Sequence, residues 1–134
     1  IAAGGAFKQI LVDSGAGAEI VSLTHKVTLS PLLLAWFITA LLRVTLGSAT
    51  VAAVTAAGIV VPLLSASTTS AELMVLAVGA GSLMFSHVND TGFWMFKEYF
   101  HLTLAQTFRT WSAMETIVSV LGITGVLILE ALLY

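Results

Sequence analysis

The sequence predicts an all-α integral membrane protein, and two observations carry this prediction. Of the 134 residues, 58% are hydrophobic and only 9% are charged, whereas soluble domains carry about 25% charged residues. So few charges cannot cover a water-soluble surface. The apolar residues are also gathered in runs of helix length, and short polar stretches interrupt these runs. Composition and patterning together therefore predict helices packed within a bilayer.

Composition also excludes several classes of function. The chain has no cysteine, so disulfides, thiolate metal sites and thiol catalysis are excluded. Its formal net charge is −2, and without a basic stripe it has no means of neutralising the phosphates of a nucleic acid. We find no metal-ligand spacing and predict no cofactor. The chain begins without a methionine or a signal peptide, so we expect it to be a piece of a larger polypeptide.

The first segment, residues 1–28, is predicted to be a helix end followed by an interfacial connection. It is rich in glycine and alanine and carries Lys8, Asp13 and Glu19. One face of this segment is apolar and the charges lie off it, which is typical of an interfacial helix rather than of a complete span.

The stretch 29–64 is predicted to be a helical hairpin with its tip at 47–50. Ser30 is expected to cap the first helix, and Pro31 suits the first helical position. The second apolar run covers residues 51–64, which is short of the roughly 20 residues needed to span a bilayer. Two tightly joined spans and a re-entrant hairpin are both compatible with this pattern. The short second arm favours the hairpin.

The rest of the chain is predicted to form a broken helix and a closing helix. Residues 71–100 are interpreted as a discontinuous membrane helix, broken near 86–92, with Gly92 giving the backbone freedom there. Residues 103–112 are predicted to be a short polar connection. Residues 113–134 are long and apolar enough for a C-terminal transmembrane helix.

The break in the discontinuous helix is the strongest functional signal. It places five polar residues next to apolar runs, namely Ser86, His87, Asn89, Asp90 and Thr91. A carboxylate at the centre of a membrane helix costs about 2.5–3.5 kcal/mol on insertion scales. We therefore expect these residues to bind a polar solute or to move a proton, with Asp90 as the preferred proton carrier and His87 as the second. The alternative is an ordinary polar loop at the membrane surface.

A second candidate site is the hairpin tip. The hydroxyl groups of Ser48 and Thr50 and the free N–H groups of a helix end could bind an anion. The guanidinium of Arg43 would suit a carboxylate in bidentate geometry. Equally open are an ion pair of Arg43 with Glu72 or Asp90, snorkelling of Arg43 to an interface, and a plain tight turn at the tip.

Other polar residues are interpreted as structural. Glu115 and Glu130 are expected to lie near the two membrane interfaces without a specific role. An intramembrane serine hydrolase using Ser82 or Ser86 with His87 is disfavoured, because neighbouring residues on a helix do not face each other. We predict that the protein is not an enzyme. A membrane subunit that only scaffolds partners is a further alternative.

At the two breaks the sequence resembles the gluconate permease family of proton symporters. The string Ser-His-Val-Asn-Asp, followed by Gly-Phe-Trp, is the most specific part of this likeness. The matching segments are residues 4–9 with 13–15, residues 47–52, residues 81–94 and residues 96–100. The likeness covers the whole chain and corresponds to the C-terminal third of such a permease.

The resemblance implies one repeat of an inverted-repeat ion-transporter fold. Residues 47–50 would be the tip of a re-entrant hairpin and residues 86–91 the break of a discontinuous helix, and the two would meet at mid-membrane. It also implies uptake of gluconate or a related sugar acid with protons, by a multi-pass protein of the bacterial inner membrane. Members also carry other hydroxy acids and D-serine.

On this basis the expected partners are a sugar acid, protons, the lipid bilayer and the remainder of the permease; the sequence leaves a homo-oligomer open. We expect the solute carboxylate at the hairpin tip and its hydroxyls at the break. Protonation of Asp90 or His87 would couple the two fluxes. The predicted solute-binding residues are Arg43, Ser48, Thr50, Ser86, Asn89 and Thr91.

Overall fold

A computed structural model of the chain describes residues 6, 9, 10, 13–15, 30–66 and 69–133, and every regular element within these ranges is helical. The all-α prediction is confirmed for this part. The predicted connection over residues 1–28 lies largely outside it. The helices are α1 (Pro31–Leu46), α2 (Ala49–Ala66), α3 (Ala71–Gly81), α4 (Thr91–Tyr99), α5 (Leu104–Thr107) and α6 (Ala113–Leu133).

The first helix begins where the sequence predicts. The hydroxyl oxygen of Ser30 accepts a hydrogen bond from the backbone N–H of Leu32 at 3.3 Å, and Pro31 lies in the first turn. Proline suits this position because its missing N–H would have no partner inside the helix.

The joint between α1 and α2 is only two residues long. Gly47 ends α1 with φ 71°, and its N–H donates to the carbonyl of Arg43 at 3.0 Å. Glycine adopts this left-handed conformation without the steric cost that a Cβ brings. The hydroxyl oxygen of Ser48 accepts from the N–H of Val51 at 3.4 Å and so starts α2. The two helices therefore fold back on each other as a hairpin.

The discontinuous helix is interrupted over residues 82–90. Within this break Phe85 has φ 44°. The Asp90 carboxylate accepts from the N–H of Gly92 at 3.0 Å and caps α4. Because this cap starts the helix at Thr91, Gly92 belongs to the first helical turn, and the left-handed residue of the break is Phe85 rather than Gly92.

The predicted polar connection over residues 103–112 is instead mostly helical. Thr103 and Gln106 form a capping box, in which each side chain bonds the backbone of the other, and this starts α5. A π-helical turn, Phe108–Ser112, joins α5 to α6. The resulting helix, Leu104–Leu133, has 30 residues and is the one described helix that is long and apolar enough to cross a membrane.

Small residues bring α3 close to two other helices. A Cβ on Gly81 would lie 2.6 Å from the carbonyl oxygen of Trp36 in α1, and one on Gly122 of α6 would lie 2.9 Å from the Cβ of Ala80. The sequence predicts such close approach from the small residues of α3. The buried core joins α1, α2, α3 and α6. The break at the end of α3 is therefore held between the hairpin and the closing helix.

Candidate functional site

The hairpin tip and the helix break touch each other. A Cβ on Gly47 would lie 2.3 Å from the carbonyl oxygen of Asn89. The Asn89 side-chain nitrogen donates to the carbonyl of Val44 at 2.8 Å and lies 3.4 Å from that of Thr45. These carbonyls belong to the last turn of α1, where helix carbonyls lack partners within the helix. The amide of the break thus caps the end of α1.

His87 makes a second contact with the same turn. Its Nε2 lies 3.0 Å from the carbonyl oxygen of Val44. A carbonyl oxygen can only accept, so Nε2 must carry the proton in this hydrogen bond. The imidazole of His87 therefore helps to fasten the break to the hairpin.

A buried ion pair forms the centre of the site. Nη2 of Arg43 lies 2.5 Å from Oδ2 of Asp90, and the two side chains are 3% and 14% exposed. The ion pair with Asp90 is one of the alternatives that the sequence leaves open for Arg43. The Asp90 carboxylate also accepts hydrogen bonds from the Ser86 hydroxyl and from the N–H of Gly92. A largely buried carboxylate with three donors is well compensated.

Arg43 has guanidinium nitrogens that do not bond Asp90. Its Nε and Nη1 atoms are buried and have no hydrogen-bond partner within the part of the chain that the structure describes. An unpaired buried donor costs free energy, and unpaired groups in native structures call for an explanation. A planar guanidinium that uses one nitrogen for Asp90 can offer the others to a second anion.

The remaining predicted residues lie around this centre but do not all join it. Ser86 is 1% exposed and belongs to the hydrogen-bond network of Asp90. Ser48 is half-buried and caps α2. Thr50 and Thr91 are exposed, at the first turns of α2 and α4. The structure thus brings the two breaks together and leaves these two threonines at their rim.

The closing helix supplies residues that the sequence analysis missed. Nε1 of Trp111 donates to the Ser86 hydroxyl oxygen at 2.8 Å, and the Ser112 hydroxyl donates to the Ser86 carbonyl. Further along, Nε1 of Trp36 donates to the Ser119 hydroxyl at 3.1 Å. Polar residues at positions 112, 115 and 119 of this largely apolar helix share one face. This spacing could have indicated that the face packs inside the protein.

Glu115 lies on this inward face. Its side chain is half-buried, and it interacts electrostatically with Arg43 and Asp90. The sequence predicts a position near an interface without a specific role. Residues 112 and 119 on either side contact the break and α1, and Glu115 lies between them, in the surroundings of the ion pair.

A helical hairpin and a broken helix joined by an ion pair, beside one long apolar helix, are consistent with a fragment of a helical membrane transporter. The chain belongs to the GntP family of permeases, whose family profile matches residues 1–132. The resemblance to gluconate permeases found in the sequence is thereby confirmed.

Individual relatives agree with this assignment. The chain is 59% identical over 130 residues to the high-affinity gluconate transporter of Escherichia coli strain K12, covering 97% of the chain and 30% of that relative. It is 58% identical over 134 residues to the Gnt-II system L-idonate transporter of the same strain, covering 100% and 30%. It is 54% identical over 130 residues to a gluconate permease of Bacillus subtilis strain 168, covering 97% and 29%. The chain thus spans about 30% of the length of these relatives. No solved structure matches it.

Proposed function

We propose that the full-length protein takes up gluconate or a related sugar acid, together with protons, across the bacterial inner membrane. Membership of the permease family and the named substrates of the relatives support a sugar-acid transporter. The observation that carries the proposal is the buried Arg43 where the hairpin tip meets the helix break, with one nitrogen on Asp90 and two nitrogens unpaired among the described residues.

The hairpin tip and the break form the solute site in this proposal. We place both at mid-membrane, as the re-entrant hairpin and discontinuous helix of one repeat of an inverted-repeat fold. The free donors of Arg43 bind the solute carboxylate, because a guanidinium matches a carboxylate in two-point geometry. Hydroxyl groups of the solute meet the polar side chains around it, which are Ser48, Thr50, Ser86, Asn89 and Thr91.

Charge balance explains why a proton would accompany the solute. Arg43 and Asp90 neutralise each other. A carboxylate that enters this buried site adds one negative charge, and an uncompensated buried charge costs several kcal/mol. When the solute carboxylate binds the unpaired nitrogens of Arg43, uptake of one proton by Asp90 restores neutrality. His87 is the second group at the break that could take the proton.

Uptake by the full-length protein in proteoliposomes tests the proposed function. An imposed inward proton gradient should drive accumulation of labelled gluconate, and unlabelled L-idonate and D-serine compete in parallel reactions. The degree to which each unlabelled solute reduces gluconate uptake ranks the solutes by their competition for the site. Accumulation that ignores the proton gradient, or the absence of any sugar-acid uptake, would refute the proposal.

Asp90→Asn tests the role of the carboxylate. The amide cannot take up a proton at neutral pH, so proton-driven accumulation should be lost while the protein still inserts into the membrane. Glu130→Gln removes a half-buried carboxylate near the far end of α6 and serves as the control. If Asp90→Asn accumulates gluconate as well as the control does, Asp90 is not the proton carrier.

A further inference from the structure

The π-helical turn also contacts the break, through Ser86. Ser86, which is 1% exposed, has its hydroxyl oxygen bonded by Nε1 of Trp111 at 2.8 Å and its carbonyl bonded by the hydroxyl of Ser112. The same Ser86 hydroxyl bonds Oδ2 of Asp90, which in turn bonds Arg43. One chain of hydrogen bonds thus links the closing helix to the ion pair.

The direction of each hydrogen bond follows from the chemistry of its donor. An indole N–H can only donate, so the Ser86 oxygen must accept from Trp111. A hydroxyl has a single proton, and a carboxylate can only accept, so that proton points at Asp90. Trp111 therefore occupies the accepting side of the hydroxyl and leaves its proton for the carboxylate.

The two residues that bond Ser86 lie in the π-helical turn Phe108–Ser112. Trp111 reaches the Ser86 hydroxyl through its long indole side chain, and Ser112 reaches the Ser86 carbonyl. Turns of the π type are frequent at functional sites. The indole of Trp111 also packs against Phe96, with ring centroids 4.8 Å apart, so its orientation is held by α4.

We propose that Trp111 is a positioning residue of the transport site, which directs the Ser86 hydroxyl to Asp90 and so stabilises the charged carboxylate. This inference rests on the proposed function. Among the described residues, the other charged or titratable groups near Asp90 are Arg43 from α1, His87 from the break and Glu115 from α6. The variants below leave all of them in place.

Trp111→Phe in the full-length protein is the first test. It keeps an aromatic ring against Phe96 and removes only the N–H. Without the indole N–H, the Ser86 oxygen no longer accepts a hydrogen bond from position 111, and the hydroxyl is free to turn away from Asp90. The Asp90 carboxylate then binds a proton more readily. The loss of a hydrogen bond to a charged group shifts the pKa of that group by about one unit. The pH midpoint of gluconate uptake in proteoliposomes should therefore move about one unit to higher pH.

Trp36→Phe is the matched control. It removes the same kind of bond, from an indole N–H to the Ser119 hydroxyl at 3.1 Å, between helices of the same bundle. A general loosening of packing would act in both variants, whereas a shift of the pH midpoint is expected only for Trp111→Phe. Equal midpoints in the two variants would overturn the proposal.

A double variant tests whether Trp111 acts through Ser86. Ser86→Ala alone should shift the pH midpoint in the same direction, and adding Trp111→Phe should shift it no further. Independent, additive shifts would contradict the proposal. Should Trp111→Phe fail to reach the membrane, an unshifted midpoint in Ser86→Ala overturns it equally. Failure of the proposed function looks different, because the wild type would then show no proton-driven uptake.

Discussion

Replacing Gly47 with alanine would place a methyl group where the two breaks meet. The new Cβ would lie 2.3 Å from the carbonyl oxygen of Asn89 and 2.7 Å from its carbonyl carbon. These are backbone atoms, so the break itself has to shift, and overpacking of this kind costs about 1–3 kcal/mol. The φ of 71° adds about 1–2 kcal/mol for a residue with a Cβ. Together the substitution should destabilise this junction by about 2–5 kcal/mol.

The effect of Gly47→Ala is measured on the purified full-length protein in two ways, by thermal unfolding in detergent and by gluconate uptake in proteoliposomes. Gly47→Ala should unfold at a lower temperature and lose most of its uptake. Gly125→Ala in α6 is the control, because its Cβ would meet nothing within 4 Å and alanine favours a helix. Should Gly47→Ala match this control in both measurements, the contact between the hairpin tip and the break does not hold the site together.

Two further predictions concern the ion pair and the helix packing. Arg43→Lys keeps the positive charge but loses the spare guanidinium donors, so the apparent KM for gluconate should rise at least about tenfold; an unchanged KM would speak against binding by these donors. Gly122→Ala brings a methyl group within 2.9 Å of Ala80 and should lower the free energy of unfolding by about 1–3 kcal/mol. Adding Ala80→Gly should restore part of that stability, and no rescue would contradict a direct clash.

Local signals in the sequence predicted much of the architecture. The cap at Ser30 with Pro31 and the interruption at Gly47 each depend on residues next to each other in the chain, and the structure has both. The polar run of the break was also recognisable, because ionisable residues beside apolar runs are rare. The first and last residues of the break were predicted less accurately, because the Asp90 cap and the left-handed Phe85 determine them.

Contacts between residues far apart in the chain could not be predicted from the sequence. It could not decide whether Arg43 pairs with Asp90, because the two lie 47 positions apart and several partners satisfied the same charge rule. The role of Trp111 was hidden for another reason. Its contact with Ser86 joins residues 25 positions apart and lies in a π-helical turn, and the 3.6-residue period used to read helices contains no signal for such a turn.

The low exposure of Arg43 bears on how affinity should be measured. With 3% of its side chain reachable by solvent, an incoming anion cannot touch the spare guanidinium nitrogens in the conformation described. Binding then selects molecules in which neighbouring groups have already moved aside, and the apparent dissociation constant equals the intrinsic one divided by the fraction of such molecules. A modest measured affinity would therefore be compatible with a strong local attraction for the solute.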